Sequence, residues 1–204
     1  MKVLLLRHGE TVENRDRIIQ GQLPGTLTER GEEQARLVGE RLKLEQLDLI
    51  YCSDLTRTRS TLERISPFHE VPVHFREEIR EKSFGEFEGV QGHVYLKAVE
   101  ESGLTRVEFR PKGGESFIDL QERAWRFFES IRSLHRGKTV LLCTHGGVIR
   151  VLLASITGKP IQDFVVTQIQ NTSLSEIEVQ DKSARVTFIN DISHLKELPP
   201  DTAV

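Results

Sequence analysis

The sequence has little cysteine, tryptophan or methionine, no long apolar run and no strong excess of charge. Its 204 residues include two cysteines, one tryptophan and one methionine. So few cysteines exclude a disulfide-based scaffold, and we expect Cys52 and Cys143 to be buried thiols in a reducing compartment. No stretch approaches the roughly 18 apolar residues of a membrane-spanning helix. We therefore expect no membrane partner.

The balance of charge excludes a further class of partner. The net charge is −3, with 29% charged and 37% hydrophobic residues, which is ordinary for a folded globular protein. Such a chain has no general attraction to nucleic acid.

The apolar stretch at 3–6 is too short for a signal peptide, so we expect a cytoplasmic protein. The length suffices for one α/β domain, predicted over 1–204.

Apolar runs that alternate with amphipathic segments indicate the fold class. Unbroken apolar runs predict three buried strands, at 2–6, 47–53 and 138–144, and VPVHF at 71–75 predicts a short strand that Pro72 weakens. Helical periodicity predicts four helices, at 28–44, 53–65, 115–135 and 148–157. We expect Ser53 or Asp54 to cap the second helix, and Ser116 with Asp119 to form a capping box on the third.

The remaining segments complete the predicted architecture. Alternating polar and apolar residues at 173–180 and 184–191 predict a hairpin around Asp181-Lys182 at the sheet edge. The whole order predicts a three-layer α/β/α sandwich, with a mostly parallel central sheet and helices on both faces. We expect 80–114 to be irregular, with a small cap or loop at about 82–114, and the tail at 195–204 to be frayed.

Cationic and imidazole side chains follow the predicted buried strands. The first strand runs into Arg7 and His8, the second leads into a helix with Arg57, and the third ends before His145. Ligands of open α/β sheets bind at the carboxyl ends of strands, so these side chains should meet. Guanidinium groups match phosphate oxygens, and a neutral imidazole between them is a competent nucleophile toward phosphorus. The pattern predicts a phosphate pocket.

Several motifs together resemble the histidine phosphatase superfamily, the phosphoglycerate mutase-like family. In chain order they read LLLRHGET, GQLPGTLTERG, SDLTRTRST, EKSFGEFEG, THGG and NTSLSEIE. The resemblance covers most of the chain. It implies a phosphoglycerate mutase-like fold, a small phosphomonoester as substrate, and chemistry that needs neither a metal nor another cofactor.

The resemblance also implies catalytic roles. His8 would be the nucleophile that becomes phosphohistidine, and Glu81 the acid that protonates the leaving alkoxide and then activates water. Arg7, Arg57 and His145 would bind the phosphoryl oxygens. Five further residues would contact the substrate: Asn14, Gln20, Gly21, Thr144 and Gly146. Of these, Asn14 matches a position that reaches the phosphate, whereas Gln20, Gly21 and Thr144 belong to the rim.

Some of these residues have competitors within the chain. Arg59 could replace Arg57, but the register of the motif favours Arg57. Several glutamates surround Glu81 and Glu10 could also compete, but a glutamate followed by x-x-F-G selects Glu81. We interpret Arg150, on the helix after the second histidine, as structural.

The motifs also bear on the branch of the family. Gly146 after the second histidine is typical of the branch of mutases and small phosphatases. The region 89–113 is short and lacks the adjacent arginine pair of the mutases, which favours a phosphomonoesterase. A cofactor-dependent phosphoglycerate mutase and a non-catalytic phospholigand-binding module are the alternatives. The loop GQLPGTLT lacks the family's usual aspartate, and the contributions of four residues stay open: His93, Arg106, Arg110 and Lys112.

Overall fold

A six-stranded sheet forms the centre of the computed structural model, which describes residues 1–180 and 183–198. The strands are β1 (Lys2–Arg7), β2 (Leu49–Ser53), β3 (Val73–Arg76), β4 (Thr139–Thr144), β5 (Leu174–Val179) and β6 (Ala184–Asp191). Their order is β3-β2-β4-β1-β5-β6. The first four run parallel, β5 is antiparallel to β1, and β6 is antiparallel to β5. The mostly parallel sheet is therefore confirmed.

Seven α-helices lie between these strands within the described residues. They are α1 (Val12–Arg15), α2 (Glu29–Leu42), α3 (Thr56–Glu63), α4 (Gly92–Ser102), α5 (Phe117–Leu134), α6 (Gly146–Thr157) and α7 (Ile161–Val165). The four predicted helices correspond to α2, α3, α5 and α6, with ends that differ by up to three residues. The expected capping box begins α5, since Ser116 and Asp119 each accept a backbone N–H of the other.

The start of α3 differs from the prediction. Leu55 occupies the N-cap position and no side chain caps the helix, so the assignment of Ser53 or Asp54 was wrong. Both side chains take part in tertiary contacts instead. The Ser53 hydroxyl lies 2.8 Å from His145 Nε2, and the Asp54 carboxylate accepts from the Arg80 guanidinium. These contacts compete with local capping for the same oxygen atoms.

The segment 80–114 is not irregular throughout, because α4 lies in its middle. Only Tyr95 and Val99 of this helix are buried. The Tyr95 ring packs edge-on against Phe84 and Phe87, at centroid distances of 5.1 and 5.6 Å. A helix with so few buried positions leaves almost no periodic signal, which explains why its pattern was not evident.

Helices cover both faces of the sheet, and β1 shows how the core divides. Val3 and Leu5 pack in the cluster formed with α5 and α6, whereas Leu4 and Leu6 pack in the cluster formed with α2 and α3. Because both faces are buried, the strand needs an unbroken apolar run. Cys52 and Cys143 lie in the second cluster as buried free thiols, as expected.

The edge of the sheet carries the predicted hairpin of β5 and β6. Its turn at Asp181 and Lys182 lies outside the described residues, as does 199–204 of the tail. The described start of the tail forms a turn, in which Leu198 N donates to Leu195 O at 3.0 Å. Among the described helices, none has the length and apolar character that crossing a bilayer requires.

Gly31, in the first turn of α2, touches the segment that follows β1. A Cβ at this position would lie 2.0 Å from the carbonyl oxygen of Glu10. We expect Gly31→Ala to lower the free energy of unfolding by about 2 kcal/mol, because a backbone atom must shift to admit the methyl group. Urea denaturation measures this loss.

Gly92→Ala, at the start of α4, is the matched control. A Cβ there would meet its nearest atom at 3.5 Å, an ordinary contact. The free energy of unfolding should then change by less than about 0.5 kcal/mol. Equal effects of the two substitutions would contradict the close approach at Gly31.

Candidate active site

The carboxyl ends of β1 and β4 bring the two histidine motifs together. Arg7 and Thr144 are paired residues at the ends of these neighbouring parallel strands. His8 N donates to Thr144 O at 3.1 Å, which extends the pairing by one residue. The ring centroids of His8 and His145 are 5.3 Å apart. The structure thus places both predicted histidines at one point.

The ring of His8 has one nitrogen engaged and one available. Nδ1 lies 2.7 Å from the carbonyl oxygen of Gly9. A carbonyl oxygen can only accept, so Nδ1 carries the proton and Nε2 carries the lone pair of the neutral ring. Burial, followed by the charges of Arg57 and Arg7, lowers the pKa of His8 well below its usual value. The imidazole is therefore neutral near pH 7.

The backbone of His8 is held by the segment that precedes β5. Asn171 Nδ2 donates to His8 O at 3.0 Å and to Asn14 Oδ1 at 3.1 Å. The Thr172 N–H donates to the carbonyl oxygens of Arg7 and His8. Sequence reasoning matched the motif NTSLSEIE but did not select Asn171. Its position shortly before β5, at the start of that motif, was the only available signal.

His145 is fully buried beside this pair. Its Nε2 lies 2.8 Å from the Ser53 hydroxyl, and its Nδ1 is buried without a hydrogen-bond partner. Burial lowers the pKa of His145 most, and the charge of Arg57 is the next largest cause. A buried polar atom without a partner is costly unless a ligand or water satisfies it.

Arg57, rather than Arg59, faces the two histidines. Its side chain is 1% exposed, and burial lowers its pKa to about 10. The terminal nitrogens donate to the carbonyl oxygens of Gly21 at 2.7 Å and Leu23 at 2.9 Å. Arg59 is exposed and lies over the Phe75 ring at 3.9 Å. The structure thus distinguishes the two candidates by burial.

Gln20 and Gly21 lie in the loop that holds Arg57. Gly21 has a φ of 54°, and a Cβ there would lie 2.1 Å from Glu88 Oε1, so the loop requires glycine. The Gln20 amide donates to the side chains of Thr11 at 2.8 Å and Glu13 at 2.6 Å. Both residues therefore support the loop through contacts within the protein.

The Glu81 carboxylate contacts the first turn of α6, which carries the glycines of the second histidine motif. Its Oε2 accepts from Gly147 N at 3.1 Å, and its Oε1 accepts from Lys82 N at 2.8 Å. A Cβ on Gly147 would lie 2.1 Å from Glu81 Oε1. The second glycine of THGG therefore leaves the space that this carboxylate occupies.

Two other candidates are engaged elsewhere. The Thr144 hydroxyl is fully buried and donates to Ile79 O at 2.7 Å, so Thr144 does not lie at the rim, where we expected it. The Ile79 carbonyl oxygen is a buried acceptor, and this hydrogen bond holds the Thr144 side chain inside the fold. The carboxylate of Glu10, the competitor of Glu81, accepts from the Thr28 hydroxyl at the start of α2 at 2.6 Å.

Lys82 follows Glu81 and is fully buried, although the sequence did not single it out. Its ammonium group lies 4.1 Å from the centroid of the Phe84 ring and 5.6 Å from that of Tyr95. Burial lowers its pKa to about 8. Lys82 thus lies between Glu81, its neighbour in the chain, and the aromatic rings of Phe84 and Tyr95. Its burial is evident only from the fold.

The structure also describes the four residues left open in the segment after Gly89. His93 and Lys112 are exposed. Arg110 pairs with Asp119, and the Arg106 guanidinium lies over the Phe117 ring at 5.8 Å. Their contacts are not confined to α5, since Lys112 N donates to Glu86 Oε1 at 3.2 Å. Burial, with the charge of Arg106 as a smaller cause, lowers the pKa of both Lys82 and Arg150.

A polar cleft of about 190 Å³ opens beside the histidines. Its lining residues are Arg7, Glu10, Asn14, Arg150, Gln168, Ile169, Gln170 and Asn171. Arg150 lies four residues after Gly146, the first residue of α6, and so shares a helix face with it. We interpreted Arg150 as structural, whereas the structure places it in this cleft. Its helical spacing from the THGG motif was the signal that could have indicated this.

The chemistry of the site suits an anion. Around His8 and His145 stand guanidinium groups, a neutral asparagine amide and the amino end of α6, all of which favour negative charge. Within the part of the chain that the structure describes, no cluster of three histidine, cysteine or acidic side chains forms a possible metal site.

Comparisons with known proteins agree with this geometry. The sequence profile of the histidine phosphatase superfamily (branch 1) matches residues 3–192. The chain is 33% identical to "Probable phosphatase C1687.21" of Schizosaccharomyces pombe, in an alignment that covers 96% of each chain. It is 34% identical to "Probable phosphoglycerate mutase GpmB" of Shigella dysenteriae, in an alignment that covers 96% of this chain and 95% of the relative.

A solved structure shows the same fold. The structure of YhfR from Bacillus stearothermophilus superposes with a TM-score of 0.88 at 32% identity, covering 96% of this chain and 99% of that one. The chain belongs to the histidine phosphatase superfamily. The predicted family, enzyme class and fold class are thereby confirmed.

The buried environment of His8 predicts its behaviour in a pH titration. Burial and neighbouring cations penalise the imidazolium, so protonation should begin only well below the usual pKa of about 6.5. We expect the His8 ring to stay neutral while the pH falls through the range in which an exposed histidine takes up its proton. NMR of the imidazole nitrogens measures this, with the His8 signal identified by its loss in His8→Gln.

The same chain unfolded in urea is the control. Without burial, every histidine should titrate near pH 6.5. A His8 midpoint near 6.5 in the folded protein would contradict the electrostatic description of the site.

Proposed function

We propose that this protein is a metal-independent phosphomonoesterase that hydrolyses small phosphorylated metabolites through a phosphohistidine intermediate. One observation carries the proposal. The neutral ring of His8 has its Nδ1 engaged by Gly9, which leaves the Nε2 lone pair available between His145 and two arginines. A nucleophile in a cationic pocket is the arrangement that phosphoryl transfer requires.

In the first step, His8 Nε2 attacks phosphorus and the bond from phosphorus to the ester oxygen breaks. Arg7, Arg57 and His145 bind the non-bridging oxygens, whose negative charge they stabilise in the transition state. A proton on the Glu81 carboxyl group passes to the departing oxygen, so the product leaves as an alcohol. The phosphoryl group now resides on His8.

In the second step, water attacks the phosphohistidine. The Glu81 carboxylate takes a proton from this water, and the bond from phosphorus to His8 Nε2 breaks. Inorganic phosphate leaves, while His8 is again neutral and Glu81 again protonated. No group outside the protein, the ester and water is needed for this balance.

A phosphoglycerate mutase is the second candidate, since one relative carries that name. It would share the first step but return the phosphoryl group to a bound glycerate before water arrives. The short segment 89–113 and its lack of an adjacent arginine pair support hydrolysis. A non-catalytic binding module is disfavoured, because His8, His145 and Glu81 are all retained in one site.

Phosphorus NMR with chelator present tests the proposal directly. The sample would contain 3-phosphoglycerate, a trace of 2,3-bisphosphoglycerate and a panel of other phosphomonoesters. We expect inorganic phosphate to form from several esters. Conversion of 3- to 2-phosphoglycerate with little free phosphate would establish the mutase, and the absence of any reaction would favour the binding module.

Loss of the nucleophile should abolish turnover. We expect His8→Ala to reduce phosphate release from p-nitrophenyl phosphate at least about a hundredfold, because no neighbouring group can form the phosphoenzyme. His74→Ala, at an exposed histidine on β3, is the matched control and should retain the full rate. Retention of more than a few per cent of the rate by His8→Ala would contradict the mechanism.

The role of Glu81 predicts a dependence on the leaving group. A phenolate departs with little protonation, whereas an alkyl oxide needs the proton. We expect Glu81→Gln to slow release of phosphate from glycerol 3-phosphate at least about tenfold more than from p-nitrophenyl phosphate. Equal losses for both substrates would exclude Glu81 as the general acid.

A further inference from the structure

The segment 77–81, which ends in Glu81, lies outside the strands and the α-helices. Its first three residues, Glu77–Ile79, form a short 3₁₀ helix. Carbonyl oxygens in such a segment need hydrogen-bond donors from elsewhere in the protein, because no regular ladder supplies them. Four of its five carbonyl oxygens accept from Arg123, and the fifth accepts from the Thr144 hydroxyl.

Arg123 lies in the first half of α5 and directs its guanidinium group at this backbone. Nη1 donates to the carbonyl oxygens of Glu78 at 2.9 Å and Arg80 at 3.0 Å, and more weakly to that of Glu77 at 3.4 Å. Nη2 donates to Glu81 O at 3.3 Å. A guanidinium group presents five N–H donors in a fixed planar fork, so one orientation can serve several acceptors at once.

Glu115, just before α5, fixes that orientation. Its Oε1 accepts from Arg123 Nε at 2.9 Å, and its Oε2 accepts from Arg123 Nη2 at 2.8 Å. Such a bidentate ion pair is specific in geometry. The same Oε2 accepts from Ser83 N at 2.9 Å, and Glu115 N donates to Ser83 O at 2.9 Å. The pair of Arg123 and Glu115 therefore binds the backbone on both sides of Glu81.

Apolar packing contributes little to the position of the segment 77–81. Ile79 is its only buried residue. A cleft of about 540 Å³ opens beside the segment, lined by Gln22, Glu77, Glu78, Arg80, Glu115 and Arg123. Backbone with few buried apolar contacts opens locally at low cost in free energy. The hydrogen bonds from Arg123 are therefore needed to keep the segment in place.

We infer that Arg123, oriented by Glu115, is a positioning residue that holds the Glu81 carboxyl group within reach of the departing oxygen. Arg123 contacts the backbone of Glu81, whereas the carboxylate oxygens accept from Gly147 N and Lys82 N. The inference rests on the proposed function, because it gives Arg123 a part in the acid step of that reaction. A shift of the acid by about 1 Å is enough to slow proton transfer severely.

The dependence on the leaving group tests this inference. The measured quantity is kcat/KM for glycerol 3-phosphate divided by kcat/KM for p-nitrophenyl phosphate. This ratio covers only the first step, because water attacks after the alcohol has left. We expect Arg123→Met to lower the ratio about threefold to tenfold, since a phenolate departs with little help from the acid. Arg123→Lys keeps the charge but lacks the planar fork, and should recover only part of the loss.

Arg126→Met is the matched control, because Arg126 is an exposed arginine on the same helix that pairs with Glu122. It should leave the ratio unchanged. In the Glu81→Gln background, Arg123→Met should cause no further fall, because the acid that Arg123 positions is already absent. An unchanged ratio in Arg123→Met, or full recovery in Arg123→Lys, would overturn the inference. If Arg123→Met does not fold, Arg123→Lys decides alone, and a ratio equal to that of the wild-type chain overturns it.

An NMR measurement without substrate separates this inference from the proposed function. The Gly147 N–H donates to Glu81 Oε2 at 3.1 Å, so its amide signal reports where the carboxylate lies. We expect Arg123→Met to move this signal toward its position in Glu81→Ala, and Arg126→Met to leave it in place. A displaced signal supports the positioning of Glu81 by Arg123 even if the wild-type chain releases no phosphate. An undisplaced signal would exclude that role even if hydrolysis is observed.

Discussion

The pairing of β1 with β4 is the interaction on which the site depends. These two parallel strands end together, and the hydrogen bond from His8 N to Thr144 O carries the pairing one residue past Arg7. Because of this register, the two histidine rings lie 5.3 Å apart although their motifs are distant in the chain. A shift of one residue would turn the side chain of His8 to the opposite face of the sheet. The apolar core on both faces of β1 prevents such a shift.

Burial of cations beside imidazoles makes this edge of the sheet selective for anions. Burial and the neighbouring guanidinium groups disfavour a proton on His8 or His145, and both pKa values fall. The cost of burying Arg57 is reduced by carbonyl oxygens of Gly21 and Leu23, which accept hydrogen bonds but carry no full charge. The positive charge is therefore available to a phosphorylated ligand.

Glycines let backbone and carboxylate approach where side chains would prevent it. Gly31 brings α2 against the carbonyl of Glu10, and Gly147 leaves the space for the Glu81 carboxylate at the start of α6. In the loop around Gly21, the positive φ and the contact with Glu88 set the path of the carbonyl groups that hold Arg57. This loop departs from the usual family sequence, yet it still holds the arginine, because it does so through backbone oxygens.

The apolar runs by themselves determined the central strands and the layered fold, because a strand buried on both faces must be apolar throughout. The polar residues that follow these runs indicated most of the site. Only the tertiary structure showed α4, because a helix that buries two side chains leaves no periodic pattern. It also showed that Thr144 is buried rather than at the rim of the site, and that Arg150 lines the cleft. Whether a side chain at a strand end or on a helix faces the core or a ligand depends on how neighbouring elements pack, and no local pattern encodes that packing.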